Sequence, residues 1–221
     1  VNETQALALA ATSARELNAG FAAAHASAWQ DAALAAPFAG AQRALAAAPL
    51  AIPGVPKRSM LGWYFRRAAI DGMTDPFFLE VILNPDLLDV ERPFVLAHEW
   101  AHLAGYAAES EASFVAWVTC LKGDARARYS AWLTSYGQAM RTLPPESRRL
   151  VPPLAPGPAA DLRAIGARYR RSSPIVRGAA REVYDGYLRA NRVREGIESY
   201  DGVVRLMLGT RFGPGWTPRL R

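Results

Sequence analysis

His98 and His102 stand four residues apart, with Glu99 beside the first of them, in the run His98-Glu99-Trp100-Ala101-His102. No other feature constrains the chain as much, because this spacing converges only on a helix. There, residues i and i+4 share one face with Cβ atoms roughly 5–6 Å apart. Two imidazoles so placed can reach one tetrahedral zinc ion, with Zn–N bonds of about 2.0–2.1 Å. Glu99 lies about 100° further round the helix, a poor place for a third ligand. It can border the metal's open position and take a proton from bound water. The flanking sequence suits such a helix: Pro93 fits a first turn and Gly105 a stop. Leu96, Trp100 and Leu103 form a bulky stripe, and Ala97, Ala101 and Ala104 a small one, so both flanks are predicted to be buried. An ordinary amphipathic helix with two hydrogen-bonded histidines is the plainer alternative. The agreement of motif, turn and acidic follow-up favours the metal site.

Glu109 and Glu111 are the candidates for the remaining ligand. Glu109-Ser110-Glu111-Ala112-Ser113 opens a second predicted helix reaching about Leu121, with Glu109, Ala112, Ser113, Ala116, Trp117 and Cys120 on its inner stripe. Glu109 shares that stripe, whereas Glu111 points about 200° away. The face argument therefore favours Glu109, with Glu111 as the alternative.

Half of the 221 residues are apolar, enough to bury a substantial core, most simply as one domain over residues 1–221. No run of 18 or more apolar residues occurs and no signal peptide is visible, while the start at Val1 suggests part of a longer protein. The net charge of +6 comes almost wholly from arginine. Because the arginines are scattered among acids, a solvated basic surface is expected and nucleic-acid binding is not. Cys120 cannot form an internal disulfide and reads as a buried small hydrophobe.

Along the chain, residues 4–30 and a stretch from Pro37 to about Ala48 are alanine-rich and helix-favouring. His25 falls near the first stripe, where a core or surface histidine is favoured over an extra metal or oxyanion group. Residues 61–83 read as the β region: Leu61, Trp63, Phe65, Arg67 and Ala69 alternate, Asp71-Gly72 marks a turn, and Phe77 to Leu83 is a second run. Asp124 to about Leu143 reads as a helix. The proline-rich residues 144–158 read as a surface loop, and helices resume at about 159–171, 174–191 and 196–210. Tyr184, Tyr187, Leu188 and Asn191 share one helical face, most simply a packed interface. A phenol near the metal could instead donate to an oxyanion, with Tyr200 the leading candidate.

Two separated segments resemble one family. The run Pro93-Phe94 … His98-Glu99-Trp100-Ala101-His102 … Gly105-Tyr106 … Glu109-Ser110-Glu111-Ala112-Ser113-Phe114 resembles a motif of the form HELAHxxGFxxEDEANF. The run Tyr184-Asp185-x-Tyr187-Leu188 … Asn191 … Gly196 … Ser199-Tyr200 is similar to a second block, YDxYLKxN followed by GxxSY. They belong to the bacterial group known as domain of unknown function thirty-eight-ten, similar to zinc peptidases of gluzincin type. The resemblance covers about Gly62 to Leu208. It implies a membrane-anchored protein, with transmembrane helices upstream and this domain outside the cytoplasm. In gluzincins a residue four after the glutamate ligand, Asp or Asn, steadies a ligand histidine; Ser113 holds that place here. Trp100 likewise replaces a usual Leu.

The expectation is thus a mainly α domain with a small β-sheet or hairpin (α+β), a zincin-like metallopeptidase domain. Residues 1–50 form its N-terminal helices, 61–121 the sheet and zinc-site helices, and 124–221 a C-terminal helical part. One zinc is held by His98, His102 and Glu109, with Glu99 as the base and Tyr200 as a candidate oxyanion donor. The expected reaction is peptide or amide hydrolysis on a peptide or protein substrate. A non-catalytic zinc domain for sensing or protein interaction is the alternative.

Overall fold

A computed structural model describes residues 1–26, 28–45, 51–75, 77–180, 182 and 200–219, with the side chains of Tyr200, Asp201 and Arg219 outside that description. Ten helices are labelled in chain order among these residues: α1 (Glu3–His25), α2 (Ala35–Ala44), α3 (Gly62–Ala68), α4 (Arg92–Leu103), α5 (Glu109–Leu121), α6 (Ala125–Thr142), α7 (Pro145–Arg148), α8 (Pro156–Arg170), α9 (174–180) and α10 (Tyr200–Gly209). Two antiparallel hairpins join them, β1 (Gly72–Asp75) with β2 (Glu80–Leu83) and β3 (Arg211–Gly213) with β4 (Thr217–Arg219). The chain is mainly helical with small β pieces, as expected.

α1 starts on a capping box, in which Asn2 accepts from the Gln5 amide while the Gln5 side chain accepts from the Asn2 amide. Ala6, Ala10, Ala14 and Leu17 are buried on the side of α1 that packs on α6, the small side chains allowing close approach. α5 is the central helix, packed on α2, α4, α6 and α10 and buried on most sides. Cys120 lies fully buried on it, and burial pushes its thiol pKa up, in keeping with a hydrophobic role. Trp117, Trp132, Phe212 and Trp216 meet edge-on where the β3–β4 hairpin closes over α5 and α6.

Three sequence expectations are corrected. Residues 62–68 form helix α3, not a strand. The alternation was deceptive because two members of its supposed apolar face, Leu61 and Trp63, are exposed, while Phe65 and Ala68 point inward together at helical spacing. The first strand is instead Gly72–Asp75, so the anticipated turn glycine lies within β1. Pro37 sits inside the first turn of α2 and does not precede it, a position where proline removes no hydrogen bond. For the same reason the proline-rich residues 144–158 contain α7 and the start of α8; between these, Pro153 and Ala155 are fastened to Asn18 of α1. His25 is also structural: it packs on Phe21 and Tyr129 and pairs with Asp161 at 3.4 Å.

Candidate metal centre

α4 carries His98 and His102 on one face, and its ending sets the pose of the second. Gly105 adopts φ +93°, which glycine tolerates without a Cβ penalty. The Gly105 amide then donates to His102 O at 3.0 Å and the Tyr106 amide to Ala101 O at 3.1 Å, the paired bonds of a Schellman turn. That turn brings the Tyr106 carbonyl back to His102 Nδ1 at 2.8 Å. A carbonyl can only accept, so Nδ1 donates to it and Nε2, facing inward, is the atom left to bind a metal. His98 Nδ1 lies 3.3 Å from Ser113 Oγ on α5, a partner of the same outward kind.

After the turn, α5 opens with Glu109 in its first turn, where the helix dipole favours a carboxylate. Glu109 Oε2 lies 3.1 Å from His98 Nε2, Glu109 Oε1 lies 3.5 Å from His102 Nε2, and the two Nε2 atoms are 3.1 Å apart. Bonds of about 2.0–2.1 Å to a tetrahedral ion would set ligand atoms about 3.3–3.4 Å apart. The donor set therefore has the chemistry and spacing to hold such an ion, and it is the one such group among the described residues. Glu111, the alternative ligand, is exposed and stands outside the cluster. Burial would push Glu109 up, but hydrogen bonds from His102 and His98, with their charges, hold its carboxyl far below the usual range. His102 is raised: burial works against its charge, and the hydrogen bond and charge of Glu109 outweigh that.

Glu99 is only 5% exposed and lies against β1. Thr74 Oγ1 is 2.9 Å from both Glu99 Oε2 and Glu99 O. Its single proton serves one oxygen at a time, and a protonated Glu99 can donate back to it. Burial raises the Glu99 pKa, against the charges of His98 and His102 and the Thr74 hydrogen bond. Gly72, in register with Thr74 on the same strand face, leaves room for the carboxyl: a Cβ there would lie 2.6 Å from Glu99 Oε1.

Arg168 braces both supports from α8. It binds Glu91, just before α4, through Nη2–Oε1 at 2.6 Å and Nε–Oε2 at 3.0 Å. Its Nη1 pairs obliquely with Asp71, next to Gly72, at 2.8 Å, and Tyr169 OH donates to the same carboxylate. Sequence reasoning missed Gly72, Thr74 and Arg168, since nothing local marks contacts made across dozens of residues. Gly105 was readable as a stop, but the Tyr106 carbonyl was not readable as a histidine clamp. Tyr184, Tyr187, Leu188 and Asn191 lie outside the described residues, as does the Tyr200 side chain, although Tyr200 begins α10.

Residues 3–208 match the family described as "Protein of unknown function (DUF3810)", and the chain belongs to that family. No curated protein and no solved structure gives a significant match.

Proposed function

We propose that this chain is a zinc-dependent hydrolase of peptide or amide bonds, with a zincin-like metallopeptidase architecture of gluzincin type. The observation that carries the reading is the convergence of two inward Nε2 atoms and one carboxylate within 3.1–3.5 Å, beside a buried glutamate. His98, His102 and Glu109 would hold the ion; zinc, when bound, supplies Lewis acidity for a peptide carbonyl and acidifies water to a pKa of about 7. Glu99, kept in place by Thr74 and Gly72, takes the proton of the attacking water and delivers it to the leaving amine. Burial raises the Glu99 pKa, which strengthens the carboxylate as a base. The edge of β1 away from β2 is where an extended substrate backbone could pair, with Tyr200 as the proposed oxyanion donor.

The second reading, a non-catalytic zinc domain, draws on the same burial of Glu99, which limits access to its carboxyl. Glu99→Gln separates the two. An enzyme keeps its zinc and loses nearly all turnover against a peptide library, whereas turnover surviving the change would refute the assigned base. Anchorage by upstream segments, with this domain outside the cytoplasm, is proposed from family resemblance. No described helix is long and apolar enough to cross a membrane. Fractionation of the full-length protein tests that placement.

A further inference from the structure

A cavity of about 270 Å³ opens at the base of the β1–β2 hairpin, between α3 and the C-terminal end of α8. Gly72 and Thr74 of β1 face α4, whereas Asp71, out of step with them, meets Arg168 and Tyr169 of the cavity wall. The cavity is therefore separate from the metal centre. Its buried wall is electrostatically occupied, with Arg168 held between Asp71 and Glu91. Its mouth is different. Arg66 shares its charge with Asp86 at 3.0 Å, while Arg67 and Arg171 make no side-chain ion pair with any described residue. Guanidiniums gathered in one cavity repel each other unless an anion sits among them.

The rim is apolar. Trp63 is 61% exposed and lines the opening, with Met60 and Leu61 just before it in the chain. Ile175, also exposed, follows Ser173, whose amide donates to the Arg67 carbonyl at 2.8 Å and ties the start of α9 to α3. Single exposed hydrophobes need no explanation. An exposed indole lining the same cavity as two arginines without acidic partners suits a ligand with an anionic end and a flat carbon body. We propose that this cavity binds an organic phosphate, its phosphate group between Arg67 and Arg171 and its carbon portion against Trp63. Two unneutralised guanidiniums match a phosphate dianion, which both can grip bidentately; a single carboxylate would leave one uncompensated. A soluble phosphoester and a phospholipid head group present the same chemistry.

The test is calorimetric titration of the whole chain with inorganic phosphate and phenyl phosphate, alongside sedimentation with phosphatidylcholine vesicles with and without phosphatidic acid. Phenyl phosphate should bind saturably and about 10-fold more tightly than inorganic phosphate, from ring contact with Trp63. The double variant R67A/R171A should lose at least about 10-fold in affinity while keeping wild-type helicity, since both side chains are exposed. Trp63→Ala should abolish the preference for the phenyl compound. Vesicle binding that requires phosphatidic acid and fails in R67A/R171A assigns the head group as the source. Saturable phenyl phosphate binding without vesicle binding assigns a soluble phosphoester. Absence of saturable binding by every probe, or binding unchanged in R67A/R171A, overturns the proposal. Chelator treatment should leave the binding intact, which separates this site from the metal centre.

Discussion

Gly72→Ala is the sharpest test of how Glu99 is held. The new Cβ would lie 2.6 Å from Glu99 Oε1, 2.8 Å from Cγ and 3.0 Å from Cδ. The first contact is about 0.8 Å inside ordinary van der Waals distance. Glu99 has little room to retreat, being buried, with Oε2 on Thr74 and the helix backbone behind it. Overpacking of this kind costs about 1–3 kcal/mol. Replacing a glycine whose φ is not positive returns about 0.4–1 kcal/mol by restricting the unfolded chain. At mid-range the net loss is about 1.3 kcal/mol, or about 3–5 °C in Tm for a domain of this size. The proposed ligands His98, His102 and Glu109 are untouched, so zinc content should hold. Displacing the base by most of an ångström should reduce hydrolysis by about 100-fold. Thermal unfolding, metal analysis and a peptide-cleavage assay on one preparation read all three quantities. A Gly72→Ala protein with wild-type Tm and wild-type turnover would refute the reasoning, because Glu99 would then neither fill that space nor depend on it.

Two further outcomes follow from neighbouring contacts. Ser113→Ala removes the outward partner of His98 Nδ1 and should weaken zinc affinity by about 10-fold without unfolding the protein, read by competition with a calibrated chelator. Asp31 binds Arg92 at the start of α4 through two bonds of 2.7 Å. Burial raises its pKa, but the hydrogen bonds from Arg92 and Trp29 and the Arg92 charge outweigh this, so it falls below the ordinary 3.8. A carboxyl depressed in the folded state stabilises above its unfolded pKa and loses that contribution as pH falls through the folded value. Asp31→Asn should therefore be less stable than wild type at neutral pH, with the gap closing below about pH 4 in urea titrations.

The helices of the candidate metal centre were legible because local rules decide them. A four-residue histidine spacing, a glycine stop and the face periodicity of α5 were enough to place His98, His102 and Glu109 together and to leave Glu111 outside. The β region misled because alternation reports burial only when the apolar side is buried, and around Leu61 and Trp63 it is not. The supports of Glu99 were invisible for a different reason. Thr74 and Gly72 meet it from 25 and 27 positions away in sequence, and Arg168 reaches Glu91 across 77. No periodicity encodes such contacts; they appear only when the hairpin has packed onto α4 and Arg168 of α8 has reached Glu91 and Asp71.

Metal analysis of the purified chain, repeated on His98→Ala, Glu109→Ala and Glu111→Ala, tests the central assignment most directly. About one zinc per chain is expected in the wild type and in Glu111→Ala, and loss of most of it in His98→Ala and Glu109→Ala. A wild-type chain that takes up no zinc on reconstitution, or zinc that persists without Glu109 and leaves with Glu111, would contradict the site described here.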